Sequence, residues 1–112
     1  AINISSYFNQ AYLTLKNDSK AIPYIYELIT GEHLDLITEP SKELALFFFN
    51  LNEEFDTLVN KKQKNSFRNK IKSYYNEVID AIANAFKIKD YKVIKEELFN
   101  KLKYIERLQS RL

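Results

Sequence analysis

At 112 residues the chain is the size of one domain, or of one domain with a fragment of another. Apolar residues are 46% of it, enough for a core. One Gly and two Pro are too few for a turn-rich all-β chain and suit a few long helices on short loops. The absence of Cys excludes disulfides and thiolate metal sites, the net charge of +2 makes no demand for nucleic acid, and no run approaches the roughly 18 apolar residues of a membrane span.

The start lacks a basic segment followed by a long apolar run, so no secretory signal is expected. It also lacks a Met, as expected of a processed product. Residues 4–16 put Ile4, Phe8, Ala11, Tyr12 and Leu15 on one face, an amphipathic helix or the last turns of a longer one. Asn17, Asp18 and Ser19 break it, and Asp18 or Ser19 is placed to cap a second helix that holds Ile22, Ile25, Tyr26 and Ile29. Pro23 is tolerable only in the first turn of that helix, and Gly31 closes it where a left-handed conformation is easiest. The two helices are expected to form a tight hairpin. Residues 32–39 read as a linker, with Leu34, Leu36 and Ile37 packing down.

Thr38, Pro40 and Ser41 signal a new helix, predicted to run to about Asn60. Between Pro40 and Val59 the residues Leu44, Phe48, Leu51, Phe55 and Leu58 form one narrow seam. Leu46 and Phe49 lie roughly 130–170° from the centre of that seam, on the face that should be wet. They are either core for another layer or a docking surface. Phe47, between the two faces, is expected at the junction between hairpin and bundle.

Residues 60–66 read as a polar loop or frayed end, and Lys61, Lys62, Lys64, Arg68, Lys70 and Lys72 form a run without a carboxylate. A solvated face accounts for that run, and an anionic partner is an unspecific alternative. A fourth helix is predicted over about 66–88, with Phe67, Ile71, Tyr74, Tyr75, Val78, Ile79, Ile82, Ala85 and Phe86 inward. The connection Lys87–Asp90 is short, so the last helix must turn back antiparallel, with Asp90 as its cap. Ile94, Leu98, Leu102, Ile105, Leu108 and Leu112 line its core face, flanked by Phe99 and Tyr104. The fold class is therefore all-α: an N-terminal helical hairpin followed by an antiparallel three-helix bundle.

Catalytic parts are missing. His33 is the sole histidine, which rules out a multi-histidine metal site or a triad built on a second His, and it reads as a surface residue. Glu53 and Glu54, like Glu96 and Glu97, point about 100° apart on a helix, a poor arrangement for a paired acid and base. Asp56 and Asp80 read as solvent-facing, and one glycine cannot build a phosphate loop. No enzyme activity and no cofactor are expected.

The run from Phe8 to Lys16, followed by Ala21 to Gly31, resembles the end of a J-domain. The stretch Leu44–Leu58 and the run from Lys87 to Leu112, with its KLKYIERL ending, are similar to the C-terminal helices of the HscB/Jac family, the J-type co-chaperones of iron–sulfur cluster assembly. The resemblance covers nearly all of residues 4–111 and divides the chain into a J-domain remnant (1–31), a linker (32–40) and a scaffold-binding three-helix bundle (41–112).

The resemblance implies two partners: an IscU-type scaffold protein, held by the bundle, and a DnaK/HscA-class ATPase chaperone, engaged by a His-Pro-Asp loop that this chain lacks. Neither nucleic acid nor membrane is among the expected partners. The first two J-domain helices and the His-Pro-Asp loop are missing from these 112 residues, and an N-terminal portion is expected to have been removed or to lie outside this polypeptide. Carried over position by position, Leu46 and Phe49 match apolar scaffold contacts, Glu53 an acidic one and Tyr104 an aromatic one. Ala45 stands where a large apolar residue is usual, and Asn50 and Thr57 where some members are acidic. The implied compartment is a bacterial cytoplasm or a mitochondrial matrix. On the residues alone, a stand-alone helical interaction protein, such as a bacterial immunity or inhibitor protein, fits the size and helicity as well.

Overall fold

The computed structural model describes residues 19–36 and 39–112, and everything in these segments is helix, turn or loop. The first half of the expected hairpin, residues 4–16, lies outside them, as do Asp18 and Ile37. A single 3-10 turn, Ser19–Ala21, leads into α1 (Ile22–Thr30). The N-cap of α1 is Ala21, whose side chain makes no cap hydrogen bond, and the expected capping by Asp18 or the Ser19 side chain lies outside what is described. Pro23 sits in the first turn, where its missing N–H costs nothing. Gly31 ends the helix at φ 74, a conformation that any Cβ would strain, and its N–H returns to the Glu27 carbonyl.

The helix α2 (Lys42–Asp56) starts at Ser41, whose hydroxyl accepts from the Leu44 N–H at 3.2 Å. It stops four residues short of the expected Asn60, and α3 (Lys61–Lys87) begins where a polar loop was expected. The reason is a capping box at Asn60. Its side chain accepts from the Gln63 N–H at 2.8 Å, and the Gln63 side chain accepts in return from the N–H groups of Asn60 (3.4 Å) and Val59 (2.9 Å). These bonds satisfy donors that a helix start otherwise leaves open.

The last helix, α4, spans residues 91–111 in three continuous pieces: Tyr91–Val93, a π-helical segment Ile94–Leu98, and Phe99–Arg111. Asp90 caps it as expected, accepting from the Val93 N–H at 3.3 Å. In the π segment the Phe99 N–H bonds to the Ile94 carbonyl, five residues back. The core residues explain it. Ile94, Leu98 and Leu102 follow one another at two steps of four, which on a regular helix drifts by roughly 80°. One wider turn corrects that drift. Ile94 and Leu102 are fully buried, and Leu98 is half-buried.

One core runs through the molecule. Ile71, Val78, Ile79, Ile82 and Phe86 of α3 meet Ile94, Leu102, Ile105 and Leu108 of α4, and Ile22, Ile25, Tyr26 and Leu34 join the same cluster. The Tyr26 and Tyr91 rings meet edge-on at 6.4 Å, so α1 packs at the α3–α4 turn. Leu34 is buried as expected of the linker, whereas Leu36 is exposed.

Most of what holds α2 in place is aromatic. Phe47 meets Tyr74 of α3 at 5.6 Å, Phe48 stacks on Tyr104 of α4 at 4.2 Å, and Phe55 meets Phe67 of α3 at 5.9 Å. Phe47 therefore packs within the bundle rather than only at its junction with the hairpin. Lys70 adds an ion pair to Glu54 at 2.7 Å.

Candidate functional site

The helix α2 carries two faces. Leu44 and Leu51 of the expected seam are buried, and Phe48, Phe55 and Leu58 are half-buried against α3 and α4. On the other side Leu46 is 59% exposed and Phe49 57% exposed. At 100° per residue, Leu46, Phe49, Asn50, Glu53 and Thr57 fall within a stripe about 100° wide, and all five are exposed. The structure thus brings five of the seven expected site residues into one row: an apolar pair at the start, an amide and a carboxylate further on, and a threonine at the C-cap. The Thr57 hydroxyl is turned back, donating to the Glu54 carbonyl at 2.7 Å.

Ala45 is exposed at the margin of the stripe. Tyr104 lies elsewhere. It is half-buried on α4 and reaches α2 from the side of Phe48, about 160° around the helix from Leu46. Its hydroxyl donates to the Phe48 carbonyl at 2.9 Å. Burial pushes the phenol above its ordinary pKa, with a side-chain hydrogen bond to Asn52 acting the other way, so at neutral pH it is a neutral donor. Asn52 and Ala45 stand between Tyr104 and Phe49 around the helix, which makes Tyr104 a flank of the row rather than part of it.

Periodicity had isolated Leu46 and Phe49. It gave no sign of the Tyr104 bond, which joins residues 56 apart in the chain. His33 is exposed, with Nε2 3.2 Å from Asp35 Oδ1. Among the described residues no group of three His, Cys, Asp or Glu is placed to hold a metal ion, and no helix is long and apolar enough to cross a membrane.

A family model described as the HSCB C-terminal oligomerisation domain matches residues 48–112. The chain belongs to the HscB family. Its matched part begins inside α2 and takes in all of α3 and α4, so the bundle described above is the C-terminal domain of an HscB-type co-chaperone, a family of iron–sulfur cluster assembly. No curated protein and no solved structure matches the chain.

Proposed function

We propose that this HscB-type chain docks an IscU-type iron–sulfur scaffold protein on the outward face of α2. Leu46 and Phe49 supply the apolar anchors, and Asn50, Glu53 and Thr57 the polar edge. Ala45 and Tyr104 flank them. The observation that carries the reading is the exposure of two large apolar side chains one turn apart on a helix whose other face packs in the bundle. Such side chains dominate an interface when a partner desolvates them.

In a protein with a complete J-domain, the docked scaffold is handed to a DnaK/HscA-class ATPase. The gain is one of effective concentration, since tethering turns a bimolecular encounter into an intramolecular one. Residues 1–31 are then the end of the J-domain, 32–40 the linker and 41–112 the docking bundle. Because α1 shares its core with the bundle, that helix is fixed to the docking domain rather than swinging from it. The working compartment is a bacterial cytoplasm or a mitochondrial matrix. Family membership favours this reading over a stand-alone immunity or inhibitor protein.

The test is a calorimetric titration of the chain with an IscU-type scaffold, with amide shifts followed in parallel. Saturable binding with shifts centred on residues 45–57 supports the reading. Absence of heat and of shifts at saturating scaffold rejects it.

A second reading is favoured by the description of the matched family, which names oligomerisation. A second copy of the chain would then cover Leu46 and Phe49. Sedimentation at increasing concentration separates the two readings, since self-association through this face would also compete with the scaffold.

A further inference from the structure

The other surface that the bundle does not explain is basic. From Thr57 to Asn76 there is no Asp or Glu, and the same stretch holds Lys61, Lys62, Lys64, Arg68, Lys70 and Lys72. Lys70 is turned toward α2 and bonded to Glu54. Lys61, Lys64, Arg68 and Lys72 fall instead on one side of α3, within about 80° of one another. All four are exposed, and Lys61, Lys64 and Lys72 make no ion pair among the described residues.

This arrangement works against the fold. Lys64, Arg68 and Lys72 are successive like-charge pairs at i, i+4, and Lys61, Lys62 and Lys64 sit in the first turn, where the helix dipole disfavours cations. Helix stability is not what places them.

Two shallow hollows beside this row meet at Leu112. One, of about 240 Å³, holds Lys64 and Arg111 beside Phe55 and Leu58. The other, of about 370 Å³, holds Arg68 and Lys72 together with Tyr75, Asn76 and Gln109. No Asp or Glu side chain lines either one. Of the four cations that line the hollows, Lys64, Arg68, Lys72 and Arg111, the two arginines are already held in position. The Arg68 guanidinium donates to the Asn65 side chain at 3.2 Å and to a main-chain oxygen of the final residue, Leu112, at 2.9 Å, and the Arg111 guanidinium lies 4.6 Å from the centre of the Phe55 ring.

We propose that this α3–α4 trough is a second interaction surface, distinct from the α2 face, and that it takes an extended acidic segment of a protein partner. Its shape and spacing favour that partner. Its two hollows are recessed into the surface beside α3 and the end of α4, whereas a bilayer is met by a flat or convex face. Its only aromatic on the α3 side, Tyr75, is half-buried, so bases would find little to stack on. Cations one helical turn apart, about 5–6 Å, face alternate residues of an extended chain, which repeat every 6.6 Å or so. The row from Lys61 to Lys72 is about 16 Å long, which spans roughly five extended residues. The amides of Asn76 and Gln109 can pair with the backbone of such a segment. Alternating Glu or Asp is the expected signature.

The test uses the full chain and a fluorescein-labelled peptide of alternating glutamate and serine, read by anisotropy. Saturable binding at low ionic strength is expected, weakening as salt is raised. The double variant Lys64→Gln/Lys72→Gln should weaken it about tenfold. A control of equal charge change, Lys92→Gln/Lys95→Gln at the start of α4, should leave it within about twofold; all four lysines are exposed, so both variants keep the fold.

Equal weakening by the two doubles would overturn the proposal, since net charge alone would then explain the binding. So would tighter, equally variant-sensitive binding of a single-stranded oligonucleotide or of phosphatidylserine vesicles, and so would no peptide binding at low salt. Scaffold binding on the α2 face should be unchanged in Lys64→Gln/Lys72→Gln, which keeps failure of this proposal separate from failure of the docking reading.

Discussion

The Tyr104 hydroxyl donates to the main-chain carbonyl of Phe48 at 2.9 Å, and the two rings stack with centroids 4.2 Å apart. One side chain of α4 thereby grips both the backbone and a side chain of α2, one residue before the exposed Phe49. Tyr104→Phe keeps the ring and removes the bond, and is expected to lower unfolding stability by about 1 kcal/mol. Tyr104→Ala also removes the stack and should cost several times as much, about 3 kcal/mol or more. Denaturant titrations of the two variants check the order.

The same phenol sets an alkaline limit. Its folded pKa is raised above the ordinary 10.0, chiefly by burial. The fold thus favours the protonated form, so the stability it supplies is complete below the unfolded value and is lost as pH rises through the folded one. Lys70 is raised above 10.5, first by its hydrogen bond to Glu54, and Tyr26 is raised by burial and by Glu32, so all three act in the same direction. Melting temperature should be flat from neutrality to about pH 9.5 and fall above it. The fall should be shallower in Tyr104→Phe.

The turn between α3 and α4 contains Lys89 at φ 62, the only positive-φ residue other than Gly31 among the described residues. A side chain there is strained, and glycine is not. Lys89→Gly is expected to raise stability by about 0.5–1 kcal/mol, although glycine lowers it at most helical positions. A drop instead would mean that the Lys89 side chain makes a contact that matters.

At the other turn, Asn60→Ala removes the cap of α3 and should cost about 1 kcal/mol, and Gln63→Ala somewhat less. Hydrogen exchange should localise the effect to the first turn of α3.

Much of this was legible in the residues. The seam of α2, the inner face of α3, the helix start at Ser41, the cap at Asp90 and the left-handed Gly31 each rest on a local rule, and each is found. Asn60 and Gln63 carried a readable signal too, a capping pair three residues apart, but the lysines around them gave the stretch the look of a loop. The π segment was hinted at by the four-residue steps from Ile94 to Leu102. The Tyr104–Phe48 link was not legible, because nothing local encodes a hydrogen bond across 56 residues. Periodicity singled out Leu46 and Phe49 on the outward face of α2, while Asn50, Glu53, Thr57 and the partner came from family resemblance.

Leu46 and Phe49 are the proposed anchors for the scaffold. The most direct measurement is the affinity of an IscU-type scaffold for the wild-type chain and for Leu46→Ala/Phe49→Ala, by calorimetry. Both side chains are largely exposed, so the double variant should fold normally by circular dichroism. The account predicts a loss of at least about thirtyfold, equivalent to roughly 2 kcal/mol. Wild-type affinity in a folded double variant would contradict it.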